Sequence, residues 1–532
     1  MEVELKNPYF LLLLGFLLVV FYFEVNVTLN GPIAFGDEGF WTYTAKWVAS
    51  NVEYPIYNPL SGSLIKNEGF TQPPMFTFLE ASLFYLLGFS EAVVKILLPL
   101  LSFFLGLASF LLFKRIFNHE IGFIAAVIIA TIPAIVTYSV LFYVDIFMLY
   151  WVTFSVGFFL LAIKEENKKY FLFSAVFTSF AILTKKPAVI LIGFYGLYFL
   201  YEIMQKKNFT NILRKYLPYG IIVALLLTPF AIRSYAYYKT PLCGLPYVFS
   251  SENCVKQIQY TNKQDFVQRM ADVGIDINVY QFGVMNYFQF AFGFLWFVPL
   301  VFVIGIIFLL VQREKVDVAI LIFLAVSLAA FTYLYTGRTE DASRYALFAV
   351  PIIAVVCAIY LEKIMEVIKR YYKYFGISFL VLILIVSYYN FSTKILTLPQ
   401  VKQFSPLFLQ ACKWADQNLP SDAVMLSLYT APTSYNCNRK AVWELPDLPD
   451  IVLSNSLNLT SARLRANGIG WIFVQKFSMS QQAYRISYPI SFIAFLEQNP
   501  STFKKVFENG PSYTDCLNAG GCDGTAIYKV GG

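Results

Sequence analysis

Long apolar runs separated by short polar segments dominate the chain from residue 9 to about residue 390. A helix crosses a hydrocarbon core of about 30 Å with roughly 17–25 apolar residues. Runs of that length predict a polytopic α-helical membrane protein with about eleven transmembrane helices. They begin near Tyr9, Ala92, Ile121, Ile146, Tyr170, Ala188, Leu217, Phe290, Val318, Tyr345 and Phe375.

Two apolar segments need separate interpretation. The first run lacks a signal-peptide cleavage pattern after it, so we expect it to remain as a helix. The segment from Pro73 to Gly88 is about sixteen residues long, shorter than a span, and contains Glu80. We predict a juxtamembrane helix in the outer interface, with Pro73 and Pro74 at its first turn.

Lysine and arginine in the short loops predict the orientation, because cytoplasmic loops carry an excess of these residues. With the N-terminus inside, all five inner loops are basic. The outer side then receives loops at about 30–91 and about 233–289, and everything after residue 390. The inner-loop cations are Lys114, Arg115, Lys164, Lys168, Lys169, Lys206, Lys207, Arg214, Lys215, Arg313, Lys315, Lys363, Lys369, Arg370 and Lys373.

Residues 391–532 differ in pattern from the apolar module of residues 1–390. Short apolar stretches at 423–428, 470–474 and 526–530 predict strands. Stretches at 405–418 and 490–498 predict helices. We therefore expect a small extracytoplasmic α/β domain after the transmembrane module, in a multi-pass protein of the cell membrane.

Composition narrows the classes of chemistry. Charged residues make up 14% of the chain, against about 25% in a soluble domain. A net charge of +7 spread over an aromatic-rich apolar chain disfavours nucleic-acid binding. The only histidine, His119, disfavours Ser-His-Asp, Cys-His and multi-histidine zinc sites.

The cysteines agree with the predicted topology. Cys357 falls in a predicted span, and the other six fall in predicted outer segments. An oxidising compartment permits up to three bridges, and neighbours in sequence form the simplest of about fifteen pairings. Free buried thiols are the alternative. The neighbouring pairs are Cys243 with Cys254, Cys412 with Cys437, and Cys516 with Cys522.

Carboxylates at the predicted outer face are the first candidate catalytic groups. Asp37 and Glu38 follow the first span, between Gly36 and Gly39. A plain helix start explains one acid there more readily than two. Asp145 lies where the third span gives way to the fourth. It is either an N-cap or a second active-site carboxylate.

Cations at the same face form the second candidate group. Lys185 and Lys186 precede Pro187 at a predicted outer turn, against the inner bias of the other lysines. Snorkelling to headgroups is one explanation, and binding of an anionic headgroup is the other. Arginine suits bidentate contact with phosphate. The arginines at predicted outer helix ends are Arg233, Arg338 and Arg344.

This combination fits sugar transfer from a lipid phosphate. Cations stabilise the departing phosphate, and one carboxylate deprotonates the acceptor. A single base without a nucleophile predicts inversion at the anomeric carbon, and no histidine is needed.

Five segments occur in order along the chain: GDEGFWTYTAKWV, QPPMFTFLEASLFYLLGFSEAVVKILLPLLSF, YVDIFMLYW, FAILTKKPAVIL and RYALFAVPIIAVV. Together they resemble the GT-C superfamily of polytopic glycosyltransferases, and the resemblance covers roughly residues 1–390. Within this superfamily the chain is similar to the protein O-mannosyltransferases and the aminoarabinose transferase of lipid A modification.

The resemblance implies a polyprenyl-phosphate sugar donor, such as dolichyl-phosphate mannose, and a protein, lipid or glycan acceptor. It implies a catalytic acid at Asp37 with Glu38 beside it, and a second acidic position at Asp145. Phosphate contacts are implied near Lys185 and Arg344.

One position departs from the relatives, which often have lysine just before the proline pair. This chain has Gln72 there, so Lys66 or Lys185 would have to supply the phosphate contact. The WWD-type motif of oligosaccharyltransferases is absent from the sequence, which disfavours protein N-glycosylation.

Three alternatives remain open from sequence. Asp37, Glu38 and Asp145 are oxygen ligands suited to Mg or Mn, although we favour a site that requires no metal. A secondary transporter is the main rival, but it would place charges near the bilayer midplane. A GT-C-like scaffold without activity is the third reading.

Overall fold

The computed structural model describes residues 7–33, 37–60, 70–206, 209–241, 298–334, 344, 346–372, 375–401, 405–443, 445, 447–476, 479–480, 488–512, 515–516 and 522–531. The chain forms two compact units. The helical unit comprises Met1–Asn30, Thr71–Phe76 and Lys95–Pro399. The sheet unit comprises Gly31–Phe70, Thr77–Val94 and Gln400–Gly532. The predicted domain boundary at residue 390 stays a prediction.

Helices occur at each of the eleven predicted apolar runs. They are Pro8–Asn30, Glu91–Ile116, His119–Thr131, Pro133–Val140, Asp145–Lys164, Lys168–Thr184, Ile190–Lys206, Phe209–Tyr238, Val298–Gln312, Lys315–Leu334, Val350–Lys369 and Phe375–Val401. Short 3-10 turns at Lys186–Val189 and Leu347–Ala349 precede two of them.

The described part of the chain holds eight helices long and apolar enough to cross a membrane, or nine if one bent pair counts as a span. Lys168–Thr184 and Val298–Gln312 are shorter. The predicted polytopic helical architecture is confirmed.

The bent pair consists of His119–Thr131 and Pro133–Val140, with 57° between the two helices. Ile132 separates them, with φ −59° and ψ 126°. A residue before proline is driven away from the α-helical region, because the proline ring would clash with its backbone. Pro133 therefore accounts for the break at Ile132.

Two helices form the centre of the helical unit. The apolar stretches of Leu347–Lys369 and Asp145–Lys164 are 83% and 78% buried, whereas that of Phe209–Tyr238 is 17% buried. Close backbone approach contributes to this packing. A Cβ placed on Gly305 would lie 2.9 Å from the backbone oxygen of Val356. Glycine there allows two helices to approach more closely than a larger residue would.

A buried hydroxyl network joins four neighbouring helices of the same unit. The Ser155 hydroxyl lies 2.6 Å from that of Thr178 and 2.5 Å from that of Tyr195. Thr178 continues the network to the Tyr219 hydroxyl at 2.7 Å. Such bonds supply directional attraction between the helices. The hydrophobic effect adds little there, because lipid tails are as apolar as the helix surfaces.

Two helices occur in the first predicted outer loop, at Asp37–Asn51 and Met75–Leu87. The second confirms a helix within the predicted Pro73–Gly88 segment. It begins at Met75, so Pro73 and Pro74 precede the helix and are not in its first turn as predicted.

The C-terminal residues of the sheet unit confirm the predicted sheet-containing domain. Its helices are Pro406–Asn418, Thr430–Cys437, Leu448–Val452, Leu457–Ala466 and Ile490–Gln498. Its strands are β1 Val424–Leu426, β2 Lys440–Val442, β3 Trp471–Gln475, β4 Met479–Ser480, β5 Tyr488–Pro489, β6 Phe503–Asn509 and β7 Thr525–Val530.

Five strands form one sheet in the order β2-β1-β3-β7-β6. β1 is parallel to β2 and β3, while β7 is antiparallel to β3 and β6. Apolar clusters cover both faces, one with Ile472 and Tyr528 and the other with Phe473 and Ile527. Neighbouring residues of each strand thus enter opposite cores, as the alternation of side chains in a strand requires.

Two of the three predicted bridges are present, Cys412–Cys437 and Cys516–Cys522. Cys243 and Cys254 lie outside the described residues. Cys357 is buried within the Val350–Lys369 helix. Because Cys412 and Cys437 end up on different helices, the first bridge fixes the Thr430–Cys437 helix to the Pro406–Asn418 helix.

The two bridges should differ in what they contribute to stability. They close segments with sequence separations of 25 and 6 residues. Restriction of the unfolded chain then gives about 3.5 kcal/mol for Cys412–Cys437 and about 2 kcal/mol for Cys516–Cys522. Replacing each pair by serine and measuring amide hydrogen exchange of β3 should reveal this order, with Cys357→Ala as the control. Equal protection in the two variants would contradict it.

Candidate active site

Asp145 forms a buried ion-pair cluster with two cations of the helical unit. Its side chain is fully buried. Oδ1 accepts a hydrogen bond from Nζ of Lys185. Oδ2 accepts from Nε and Nη2 of Arg344, at 3.3 and 3.2 Å. The structure therefore brings together three of the residues predicted from the sequence.

Local sequence places two members of this cluster at helix ends. Asp145 is the first residue of its helix, and the N-cap position is Val144. Asp145 is therefore not the N-cap of this helix. Lys185 follows the Lys168–Thr184 helix in an extended conformation. Pro187 lies in the next 3-10 turn, and its missing N–H disfavours continuation of the helix.

One buried carboxylate contacts two cations in this cluster. Asp145 has no exposure, whereas the side chains of Lys185 and Arg344 keep 17% and 15%. A buried carboxylate requires such partners, since removing an isolated charge from water is strongly unfavourable. Part of each cation stays accessible, and this arrangement suits an anionic ligand.

Arg344 also contacts aromatic rings that sequence analysis missed. Its guanidinium carbon lies 4.3 Å from the ring centre of Tyr143 and 6.0 Å from that of Tyr138. Such stacking restricts the guanidinium plane and adds cation–π attraction. Tyr143 lies two residues before Asp145 in the YVDIFMLYW segment. This closeness in sequence was the available signal for its place in the site.

Lys186 makes a different contact from its neighbour. Its ammonium donates to the Thr71 hydroxyl at 3.2 Å. Thr71 is buried and precedes Gln72, the position at which the relatives often have lysine. Thr71 was not predicted as a site residue. Thr71, next to Gln72, therefore contacts Lys186 of the Lys185-Lys186 turn within the helical unit.

The remaining predicted phosphate contacts are less informative. The guanidinium of Arg233 lies 5.3 Å from the ring centre of Tyr237, one turn along the same helix. Arg338 lies outside the described residues.

Asp37 and Glu38 occupy the first turn of the Asp37–Asn51 helix, in the sheet unit. Acidic residues there favour the helix electrostatically. Glu38 is fully buried, whereas Asp37 is half-buried. Both acids therefore start a helix, and their predicted catalytic roles stay predictions.

Further ionisable groups surround this helix within the sheet unit. Burial holds the pKa of Lys46 below its usual value, although Glu91 and Glu80 oppose that shift. Burial raises the pKa of Glu80 well above its usual range. Burial and the Glu91 carboxylate raise the pKa of Tyr435. The helix therefore lies in a weakly solvated polar environment that sequence analysis did not predict.

No group of three or more His, Cys, Asp and Glu side chains is arranged to hold a metal ion within the described ranges. The metal requirement of the site stays a prediction.

Comparisons with known proteins relate the chain to glycosyltransferases. Residues 71–233 match the family described as dolichyl-phosphate-mannose-protein mannosyltransferase. That segment contains Gln72, Asp145, Lys185 and Lys186. A comparison with curated proteins gives no significant match.

Solved structures resemble the fold over nearly the whole chain. ArnT from Cupriavidus metallidurans bound to undecaprenyl phosphate has a TM-score of 0.66 and 11% identity, covering 99% of this chain and 98% of that one. The archaeal oligosaccharyltransferase AglB from Archaeoglobus fulgidus, in complex with an inhibitory peptide and a dolichol-phosphate, has a TM-score of 0.64 and 12% identity. The matched region covers 94% of this chain and 73% of the AglB chain.

A third structure, the arabinofuranosyltransferase AftD from Mycobacteria, has a TM-score of 0.55 and 13% identity. It covers 97% of this chain and 40% of that one. The predicted resemblance to the GT-C glycosyltransferases is confirmed. At these identities the structures establish a shared fold.

Removing Lys185 should destabilise the helical unit, because the buried Asp145 would keep only Arg344. We expect Lys185→Met to lower the free energy of unfolding by about 3 kcal/mol. Denaturant unfolding in detergent measures this value. Lys363→Gln is the matched control, since Lys363 pairs with Glu366 while 42% exposed and should cost at most about 1 kcal/mol. Equal losses in the two variants would contradict the assignment.

Proposed function

We propose that the chain is a membrane glycosyltransferase that uses a polyprenyl-phosphate sugar as donor. It transfers the sugar to an acceptor at the outer face of the membrane, with inversion, and Asp37 is the general base. The single observation that carries this proposal is the cluster of Asp145, Lys185 and Arg344, in which one buried carboxylate holds two partly accessible cations.

The cations of this cluster bind the donor phosphate. Lys185 and Arg344 are held by a carboxylate before the ligand arrives, so little ordering remains to be done on binding. Such preorganised charge stabilises a developing phosphate anion more effectively than mobile surface lysines would. Lys186, on the same turn, supplies a further cation. Two structural relatives, AglB in complex with a dolichol-phosphate and ArnT bound to undecaprenyl phosphate, support a donor of this class.

Asp145 acts through its partners and is a positioning residue. Both of its oxygens accept charged hydrogen bonds, which makes the carboxylate a poor proton acceptor. The base therefore has to be another acid. Asp37 is the carboxylate that the family resemblance assigns to this role, and its partial exposure leaves it accessible to an acceptor.

The proposed displacement requires no reactant other than the donor and the acceptor. The bond between the anomeric carbon and the phosphate oxygen breaks, and its electron pair leaves with the phosphate. The acceptor oxygen or nitrogen forms the new bond from the opposite face and gives its proton to Asp37. One displacement at carbon inverts the configuration.

The placement of charge favours an enzyme over the rival transporter. Secondary transporters use charged residues near the bilayer midplane, on broken helices. Asp145 starts a helix and Lys185 follows the end of another, so the cluster lies where helices terminate. Both Asp145 oxygens are already engaged, which also argues against repeated binding and release of a transported cation there.

A panel of radiolabelled polyprenyl-phosphate sugars tests the function directly. Membranes containing the protein should move label from one donor into a protein, lipid or glycan fraction, and that fraction identifies the acceptor class. Transport would move the label across the membrane without covalent incorporation. An inactive scaffold would give neither result.

Replacing the proposed base should abolish transfer without affecting insertion. We expect Asp37→Asn to lower kcat by roughly 10²–10⁴-fold, because the amide cannot accept the acceptor proton. Single-turnover transfer of labelled sugar measures this loss. Glu53→Gln removes an exposed acid from the same loop and should leave the rate unchanged. Transfer by Asp37→Asn at the wild-type rate would remove Asp37 as the base.

Replacing Arg344 should weaken donor binding. Arg344→Ala removes a charged hydrogen-bond donor, so we expect the donor KM to rise about 10- to 100-fold. Steady-state kinetics at varied donor concentration measure this change. Arg370→Ala is the control, because Arg370 is an exposed cation at the C-cap of the Val350–Lys369 helix. An unchanged donor KM for Arg344→Ala would contradict the assignment.

A further inference from the structure

We propose that Tyr435 positions the Asp37–Asn51 helix, and through it the proposed base Asp37. Tyr435 belongs to the Thr430–Cys437 helix, almost four hundred residues further along the chain. All residues in this argument lie in the sheet unit. The catalytic part of the inference rests on the function proposed above, whereas the structural part stands on its own contacts.

The two helices approach closely at a glycine beside the acids. A Cβ placed on Gly39 would lie 2.9 Å from the backbone oxygen of Ala431 and 3.3 Å from the Cβ of Tyr435. Gly39 lies two residues after Asp37, so the contact fixes the first turn of the helix. Any movement of the Thr430–Cys437 backbone there would displace the acids directly.

The Tyr435 hydroxyl joins two charged side chains. It donates a hydrogen bond of 2.6 Å to the Glu91 carboxylate. It accepts one of 3.4 Å from the Lys46 ammonium, which also lies 4.5 Å from the centre of the Tyr435 ring. Lys46 is in the third turn of the Asp37–Asn51 helix. The tyrosine therefore holds that helix at a second point, Lys46, about two turns from Gly39.

Burial strengthens these contacts. The same helix presents Glu38, Thr42 and Ala45 as fully buried residues, along with the buried Trp41 and Val48. Glu38 and Glu80 both act electrostatically on Tyr435, and Glu80 is itself buried. In such an environment a lost hydrogen bond leaves polar groups without solvent to replace it.

The Thr430–Cys437 helix is itself fixed to the sheet. The Ser434 hydroxyl accepts a hydrogen bond of 2.9 Å from the Ala441 amide, in β2. The Thr433 hydroxyl lies 2.8 Å from that of Ser427, just after β1. Cys437 ends the helix and is bridged to Cys412. Tyr435 therefore projects from a rigid support, which is what a positioning side chain requires.

Tyr435→Phe tests the inference, because it removes one hydroxyl and keeps the ring. We expect hydrogen exchange of the amides in residues 41–51 to become at least about 10-fold faster. We expect kcat to fall about 10- to 100-fold while the donor KM stays within about 2-fold, since misplacing a catalytic group slows chemistry without removing donor contacts.

Two further variants make the test specific. Tyr528→Phe is the matched control, because the Tyr528 hydroxyl also donates to a carboxylate, Glu497, at 2.5 Å, but in the sheet core. It should alter neither readout for the Asp37–Asn51 helix. Glu91→Gln keeps an acceptor for the Tyr435 hydroxyl and should behave like the wild type, whereas Glu91→Leu should behave like Tyr435→Phe.

The outcomes test the structural part and the catalytic part of the proposal separately. Unchanged exchange in residues 41–51 of Tyr435→Phe overturns the positioning role, whatever the activity. Faster exchange with unchanged kcat, while Asp37→Asn is inactive, overturns its catalytic relevance. Full activity of Asp37→Asn instead overturns the proposed base, and the exchange result then decides the structural role of Tyr435 alone.

Discussion

The pairing of the buried Asp145 carboxylate with Lys185 and Arg344 is the constraint on which the proposed chemistry depends. A lone carboxylate at a fully buried position would be neutralised or would require costly desolvation. Two cations solve that problem, and both keep part of their side chains accessible to a ligand. They also tie together the starts and ends of helices that are distant in the chain. Stability and proposed anion binding thus rest on the same three side chains.

The rest of the helical unit shows how polar groups are accommodated in an apolar environment. The network of Ser155, Thr178, Tyr195 and Tyr219 satisfies hydroxyl groups by pairing them with each other across helices. The ion cluster follows the same rule with full charges. In both cases polar side chains occur in groups, because each one needs a partner where water is excluded.

The proposed reaction needs no histidine, in agreement with a chain that contains only His119. Phosphate is a good leaving group once its charge is stabilised, so cations replace a general acid. One carboxylate completes the reaction by taking a proton from the acceptor. Lys185 and Arg344 supply fixed positive charge of this kind.

The sequence by itself determined the features that depend on local pattern. Apolar length specified the membrane helices. The break before Pro133 was not predicted, and Pro99, Pro218 and Pro229 lie inside helices, so a proline alone does not specify where a helix ends. The three predicted strands became the central strands β1, β3 and β7, but the edge strands β2 and β6 were missed. Edge strands face solvent on one side and carry residues such as Lys504 and Lys505, so they lack an apolar run.

Only the tertiary structure decided which of the candidate residues meet. Asp145 and Arg344 are 199 positions apart, and Glu91 and Tyr435 are 344 apart. Hydropathy and helix signals report each residue's own surroundings, so they identified Asp145 and Arg344 as polar groups at helix ends without pairing them. Tyr435 carried no such signal, because an isolated tyrosine is common in this aromatic-rich chain. Partners of this kind are selected by packing, which brings distant segments together and excludes the water that would otherwise separate them.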